Sequence, residues 1–68
     1  MVNTEKLDGI IKGKGVTREA VAHLAGMTPR SFSNKAENIT EFKASEIKNI
    51  RHVLGLKGSD VSEIFFCE

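Results

Sequence analysis

The chain has 68 residues with 40% hydrophobic content and one proline, which predicts a single small globular domain rather than a disordered or linker-rich protein. Its single cysteine, Cys67, excludes an internal disulfide framework and is expected to be a free thiol. The formal net charge of +1 is uneven: residues 1–57 carry +4 and residues 58–68 carry −3, so the mildly basic body is compatible with a nucleic-acid partner.

The N-terminus lacks the basic and apolar regions of a signal peptide, and no apolar run approaches the ~20 residues that span a bilayer. We therefore expect a soluble, cytoplasmic protein without a membrane partner.

The first predicted helix carries an apolar stripe formed by Leu7, Ile10 and Ile11. The polar start Asn3-Thr4-Glu5 can supply its N-cap. Gly13-Lys14-Gly15 is expected to end it.

The second predicted helix starts at Thr17, and its apolar stripe is Val21, Leu24 and Ala25. Gly26 follows this stripe at the position where a helix end requires a positive φ. We therefore predict a short helix that ends in a tight turn.

The third predicted helix is capped by Thr28 and has Pro29 at its first position, where a missing N–H costs nothing. Phe32 and Ala36, four residues apart, are its predicted inward face. Asn38 is expected to close it, since asparagine tolerates the left-handed conformation.

The fourth helix is predicted from about Ala44–Ser45 to Leu54, and whether Ser45 caps it or lies one turn inside stays open. Gly55 is expected to end it. Its inward residues are Ile47, Ile50, Val53 and Leu54.

After Leu56 packs back, the fifth helix opens at Gly58-Ser59-Asp60. Its apolar residues are Val61, Ile64, Phe65 and Phe66. With Phe42 as a core plug in the preceding connection, the predicted fold class is all-α, a compact bundle of five short helices.

The second and third helices together have the layout of a helix-turn-helix, in which the second of the pair enters a DNA major groove. Ala22 is small where the two helices approach, Gly26 lies in the turn, and Met27 and Phe32 are apolar on the inner side. The outer face at the start of the third helix then consists of Thr28, Pro29, Arg30, Ser33 and Asn34.

Residues 17–38 resemble the helix-turn-helix of the XRE/Cro-type phage regulators. Glu41-Phe42, residues 45–56 and the closing Ile64-Phe65-Phe66 are similar to the rest of the small Cro-like proteins of Gram-positive phages, so the resemblance runs from about Leu7 to Phe66. It implies a lambda-repressor-like DNA-binding domain. The chain departs from the family pattern at Pro29, where glutamine or serine is frequent, and at Lys35, where an apolar residue is usual.

The resemblance implies that the helix over residues 29–37 reads bases. Arg30 can donate two hydrogen bonds to guanine O6 and N7, and Asn34 can pair with adenine N6 and N7. Pro29 offers an apolar surface to a thymine methyl group. Thr28 and Ser33 complete the predicted base contacts.

Phosphate contacts are predicted at the start of the second helix, where free N–H groups lie beside Thr17 and Arg18. Lys35 and Lys43 are candidates for contacts that position the domain without reading sequence. Ser31 is the remaining predicted phosphate contact.

No catalytic, metal or cofactor site is predicted. His23 and His52 lie on separate predicted helices without a third ligand at metal spacing, and no nucleophile, base and acid come together in the sequence.

The expected function is a sequence-specific transcriptional regulator, a Cro-like repressor on a double-stranded DNA operator. A weak homodimer formed on DNA through the fourth and fifth helices is expected, with one of Phe65 and Phe66 exposed, and no small-molecule effector is expected.

The alternative is a protein-interaction module of the same fold that modulates another repressor. The low net charge and Pro29 keep this alternative open.

Overall fold

The structure is a computed structural model that describes residues 1–66. Within these residues the chain forms five α-helices and no strand. The helices are α1 (Thr4–Gly13), α2 (Arg18–Leu24), α3 (Pro29–Ala36), α4 (Ala44–Leu54) and α5 (Gly58–Phe65). This part of the protein measures 25 × 24 × 20 Å. The predicted all-α class and helix order are confirmed for it, and Cys67 lies outside the described residues. Within residues 1–66, every helix falls short of the length and apolar character that crossing a membrane requires.

The first three helices begin where their polar caps were predicted. The side-chain oxygens of Asn3, Thr17 and Thr28 each accept a hydrogen bond at 3.1 Å from the backbone N–H three residues later. Each bond satisfies one of the backbone donors that a helix start leaves without an intrahelical partner. The starts of α1, α2 and α3 are therefore encoded locally.

The last two helices begin with a different device. The carboxylate of Glu46 accepts a hydrogen bond from the Lys43 backbone N–H at 2.8 Å, and that of Asp60 accepts one from Lys57 at 3.1 Å. Ser45 is the second residue of α4, which decides the open question about this helix start. It lies inside the first turn, and Lys43 holds the cap position.

Residues with positive φ follow four of the helices where stops were predicted, among them Gly15 after α1 and Gly55 after α4. Gly26 follows α2 with φ +76° and Asn38 follows α3 with φ +65°. The Asn38 side chain also bonds both backbone groups of Val2, accepting from its N–H at 2.7 Å and donating to its carbonyl at 3.0 Å. One asparagine therefore closes α3 and fastens the segment before α1 to it.

Replacing Asn38 with alanine is expected to lower the free energy of unfolding by about 1–3 kcal/mol. Two hydrogen bonds are lost, and the backbone of an alanine at this position is strained in the left-handed conformation. Asn38→Gly is the matched control, because it loses the same bonds without the strain and is expected to destabilise less. Urea unfolding of the three proteins checks this, and equal stability of Asn38→Ala and the original chain would contradict it.

All five helices contribute to one hydrophobic core. Phe32, Leu7, Ile50 and Ile64 are completely buried in it. Phe42 packs edge-on between two other rings, with centroids 5.7 Å from Phe32 and 5.3 Å from Phe65. The predicted core plug between α3 and α4 is confirmed, and it joins α3 to the end of α5.

Two predictions about inward residues need correction. Leu24 was assigned to the buried stripe of α2, but it is 67% exposed. The buried residues of α2 are Val21 and Ala22, and this helix packs against α3 and α4 while Leu24 lies at the flank of the buried arc. Phe66 was assigned to the stripe of α5, yet it is 64% exposed while Phe65 is buried, which fits the expectation that one of the two stays outside.

Candidate nucleic-acid interface

The outer face of α3 is centred on Arg30 and Asn34. Successive residues of an α-helix are about 100° apart, so these two side chains lie opposite the buried Phe32 and Ala36. Arg30 is exposed and Asn34 is partly exposed. No carboxylate among residues 1–66 forms an ion pair with Arg30. The structure brings together a guanidinium and an amide on one accessible helix face.

Two partly exposed serines, Ser31 and Ser33, flank this face. At the start of α3, Thr28 and Pro29 are both exposed, and the Thr28 hydroxyl oxygen accepts the helix-cap hydrogen bond from the Ser31 N–H. All five residues predicted to contact bases therefore lie at the surface, along one side and the leading end of α3. α3 itself ends at Ala36, one residue earlier than predicted.

The starts of α2 and α3 open onto one shared groove. Thr17 and Pro29 both line it, together with His23 and Met27, and its volume is about 360 Å³. Thr17, the predicted phosphate contact at the cap of α2, is thus on the same side of the molecule as the start of α3. A nucleic acid lying along α3 would pass close to this groove.

Arg18, the second predicted phosphate contact, is tied to two other elements. Its Nε and Nη2 donate to the two oxygens of Asp8 on α1, at 2.7 and 2.8 Å, and Nη2 also donates to Glu37 at 2.7 Å. The bonds to Asp8 chiefly, and to Glu37, raise the pKa of Arg18 above its ordinary value against the opposing effect of burial. A phosphate placed beside this guanidinium would meet two carboxylates.

Lys35 is also tied to another helix. Its ammonium donates to both carboxylate oxygens of Glu46 on α4, at 2.7 and 2.8 Å, and the two side chains are only 13% and 16% exposed. Lys35 stands where an apolar residue would suit the inner arc of α3, and Glu46 neutralises the charge that its burial brings in. The structure therefore places Lys35 between α3 and α4, away from the accessible face.

The pKa of Glu46 is lowered overall. Burial works to raise it, but the hydrogen bonds from the Lys35 ammonium and the Lys43 backbone N–H, with the nearby positive charges, outweigh that effect. A carboxyl group whose pKa is depressed on folding stabilises the protein above its unfolded pKa of about 4.3. That stabilisation is lost as the pH falls through the lower, folded-state pKa.

Replacing Glu46 with glutamine is expected to lower the free energy of unfolding at neutral pH by about 1–2 kcal/mol, since the neutral amide cannot balance the Lys35 charge. The difference between the two proteins should shrink as the pH is lowered below about 4. Chemical unfolding at several pH values measures this. A difference independent of pH would show that the carboxylate charge has no part in stability.

Lys43, the third cation predicted to contact phosphate, differs from Arg18 and Lys35. It is exposed at the cap of α4, and no carboxylate in residues 1–66 pairs with it. Seven of the ten Lys and Arg residues share this absence of an ion pair within that part of the chain: Lys12, Lys14, Arg30, Lys43, Lys48, Arg51 and Lys57. The paired cations instead connect helices, as Lys6 does with Glu63 between α1 and α5.

The ion-pair partners Asp8, Glu37 and Glu46 are the residues that sequence reasoning missed. They lie 10 to 19 positions from their cations, so no helical spacing indicates the pairing. One signal was present, because Lys35 follows Phe32 by three residues and so falls near the inner arc. A cation that is mostly covered there is stabilised by a carboxylate partner.

His23 and His52 are exposed on α2 and α4. Among residues 1–66 no three His, Cys, Asp or Glu side chains are arranged to hold a metal ion. What the candidate surface offers is hydrogen-bond donors and acceptors on the outer face of α3.

Comparison of the chain with models of protein families, with curated proteins and with solved structures finds no match.

Proposed function

We propose that the protein is a sequence-specific DNA-binding transcriptional regulator that inserts α3 into the major groove. The observation that carries this proposal is that Arg30 and Asn34 lie together on the outer face of α3. Within residues 1–66, Arg30 forms no ion pair. Their side chains supply the donor fork that recognises guanine and the amide that recognises adenine. One helical turn separates them, which suits bases a few steps apart.

The α2–α3 pair supports the proposal through its construction. These two helices contact each other more extensively than any other two in the described part of the chain. Ala22 is completely buried, and Gly26 makes the turn with positive φ. A helix held this firmly against its neighbour presents its outer face in a fixed orientation, as a helix-turn-helix requires. This construction agrees with the resemblance to the Cro-like phage regulators.

The proposed phosphate contacts are the exposed Lys43, with Thr17 and Ser31 beside the leading end of α3. Such contacts fix the position of the domain on the duplex without reading sequence. We assign no phosphate contact to Arg18 or Lys35. Their cationic groups already bond carboxylates on α1, on α4 and at the end of α3. Their proposed role is to hold α2 and α3 in place.

A single small domain makes a limited DNA interface, so useful specificity requires two copies on half-sites about 34 Å apart. We propose that the protein acts as a Cro-like repressor in the cytoplasm of a bacterial host, with occupancy of the operator set by its concentration.

Selection from a pool of randomised duplexes, followed by footprinting on DNA flanking its own gene, tests this function. We expect enrichment of a two-fold symmetric site and an affinity that falls steeply with salt, because phosphate contacts release counterions. Failure to retain any duplex at low salt would refute the proposal.

The second candidate, a module that binds another regulator, is favoured by an apolar groove on the opposite flank of α2. Leu24 and Val16, 67% and 38% exposed, line this groove of about 220 Å³ with Val53 of α4. Binding of a second protein that Leu24→Ser abolishes, together with no duplex retention at low salt, would favour this function.

A further inference from the structure

Basic side chains line a groove on the outer face of α4. The exposed Lys48, Arg51 and His52 form its wall, and Gly55 and Leu56 in the turn after the helix complete it, with a volume of about 500 Å³. Every titratable side chain in the lining is basic, and no carboxylate from residues 1–66 contributes to it. We call this surface the α4 groove.

The fold itself does not require this concentration of positive charge. The Arg51 and His52 carbonyls already accept hydrogen bonds from the backbone N–H groups of Leu56 and Gly55, at 2.9 and 3.3 Å. The helix dipole favours a cation in the last turn, which accounts for Arg51 but not for Lys48, one turn earlier. Like charges three residues apart on a helix repel each other, and neither cation forms an ion pair in the described part of the chain. An anionic partner would remove that repulsion.

The α4 groove faces away from α3. Glu46 marks the side of α4 that is nearest to α3, because it bonds Lys35. Since successive helix residues are about 100° apart, the groove side chains point about 120–160° away from Glu46 around the axis of α4. A duplex that lies along α3 would therefore leave Lys48 and Arg51 uncovered.

We propose that the α4 groove binds an acidic segment of another protein, a helix whose carboxylates recur one turn apart. Along the axis of α4, Arg51 lies about 4.5 Å and His52 about 6 Å from Lys48. Carboxylates at positions i, i+3 and i+4 of a partner helix have the same spacing. The Arg51 guanidinium can donate to both oxygens of one carboxylate, and the Lys48 ammonium pairs with the next.

A nucleic acid fits the α4 groove less well than an acidic helix does. Proteins that hold a duplex tightly neutralise about 6–10 phosphates, whereas the lining supplies the two cations Lys48 and Arg51. Simultaneous binding of the acidic segment and an operator rests on the proposed function. Binding of the segment alone is measured without DNA, so its failure would leave the base-reading role of α3 to its own test.

Fluorescence anisotropy at low salt, with a labelled alanine-based helical peptide carrying glutamates at i, i+3, i+4 and i+7, tests this proposal. We expect binding that the same peptide with glutamines does not show. The double variant Lys48→Glu, Arg51→Glu should weaken it by about tenfold or more, since two charge-assisted contacts are lost. The matched control is Lys12→Glu, Lys14→Glu, which changes the net charge equally at two exposed lysines without an ion pair in residues 1–66. Its effect should be about twofold at most, because salt screens distant charges.

A peptide with lysines in place of the glutamates supplies the reverse test. It should bind the Lys48→Glu, Arg51→Glu variant and not the original chain, and circular dichroism verifies that both double variants keep their helices. Absence of glutamate-peptide binding at low salt would overturn the proposal, and so would an equal loss in the control variant. A duplex whose affinity falls tenfold in the groove variant alone would also overturn it, since the groove would then belong to nucleic acid.

Discussion

Replacing Arg30 and Asn34 together with alanine is expected to remove most of the preference for the selected duplex over a random one. Each bidentate contact to a base is worth about 1–3 kcal/mol of discrimination, and the double variant loses both. Because the two side chains lie on the open face of α3, the thermal stability should change little. Competition binding with selected and random duplexes at one salt concentration measures the effect.

Arg51→Ala is the matched control for this experiment. Arg51 is also an exposed arginine without an ion pair in residues 1–66, but it belongs to α4. Its loss should leave the ratio of the two affinities unchanged. If Arg51→Ala reduced the preference as much as the double variant, base reading would have to be assigned to another surface.

Replacing Phe32 with alanine is expected to destabilise the protein by about 3–5 kcal/mol, the cost of emptying a filled aromatic site in a core. Phe32 is completely buried, and its ring packs against Phe42, which in turn packs against Phe65. Its loss therefore removes support from α3, the α3–α4 connection and α5 together. In a domain of this size that is a large part of the whole stability, so substantial unfolding is expected at physiological temperature.

Phe66→Ala is the control for the Phe32 substitution, because the same ring is removed from a site that is 64% exposed. We expect its midpoint in urea to stay close to that of the original chain under dilute conditions. Similar losses of stability for both variants would mean that the core is not organised around Phe32.

The parts of the fold that sequence could predict are those encoded by neighbouring residues. Asn3, Thr17 and Thr28 cap helices by bonding a backbone group three residues away, and Gly26 and Asn38 adopt the backbone conformation that their residue types permit. Such features require no knowledge of what packs against the helix. They fixed the helix order and most boundaries to within a residue.

The orientation of each helix about its own axis depended on packing that the sequence does not display. Val21 and Leu24 are both apolar and close together on the wheel of α2, and the packing of α2 against α3 and α4 decides which one is buried. Helix spacing alone therefore misplaced Leu24. Tertiary packing determines which of two arcs of α2, similar in hydrophobicity, is buried.

For the candidate site, the exposed positions of Arg30 and Asn34 followed from their spacing relative to Phe32 and Ala36. The interpretation of Arg18 and Lys35 did not anticipate their partners, since these carboxylates come from distant parts of the chain. A cation in a sequence is equally consistent with a ligand and with a structural ion pair. Only the fold shows that these two cations hold α2 and α3 against their neighbours.

The chemical-shift changes of ¹⁵N-labelled protein titrated with the selected duplex test the base-reading role of α3 most directly. We predict the largest changes at the backbone amides of residues 28–34, together with Lys43, while Lys48 and Arg51 on the outer side of α4 change little. Changes centred on Leu24 or on residues 48–56, with residues 28–34 undisturbed, would contradict the reading of DNA by α3.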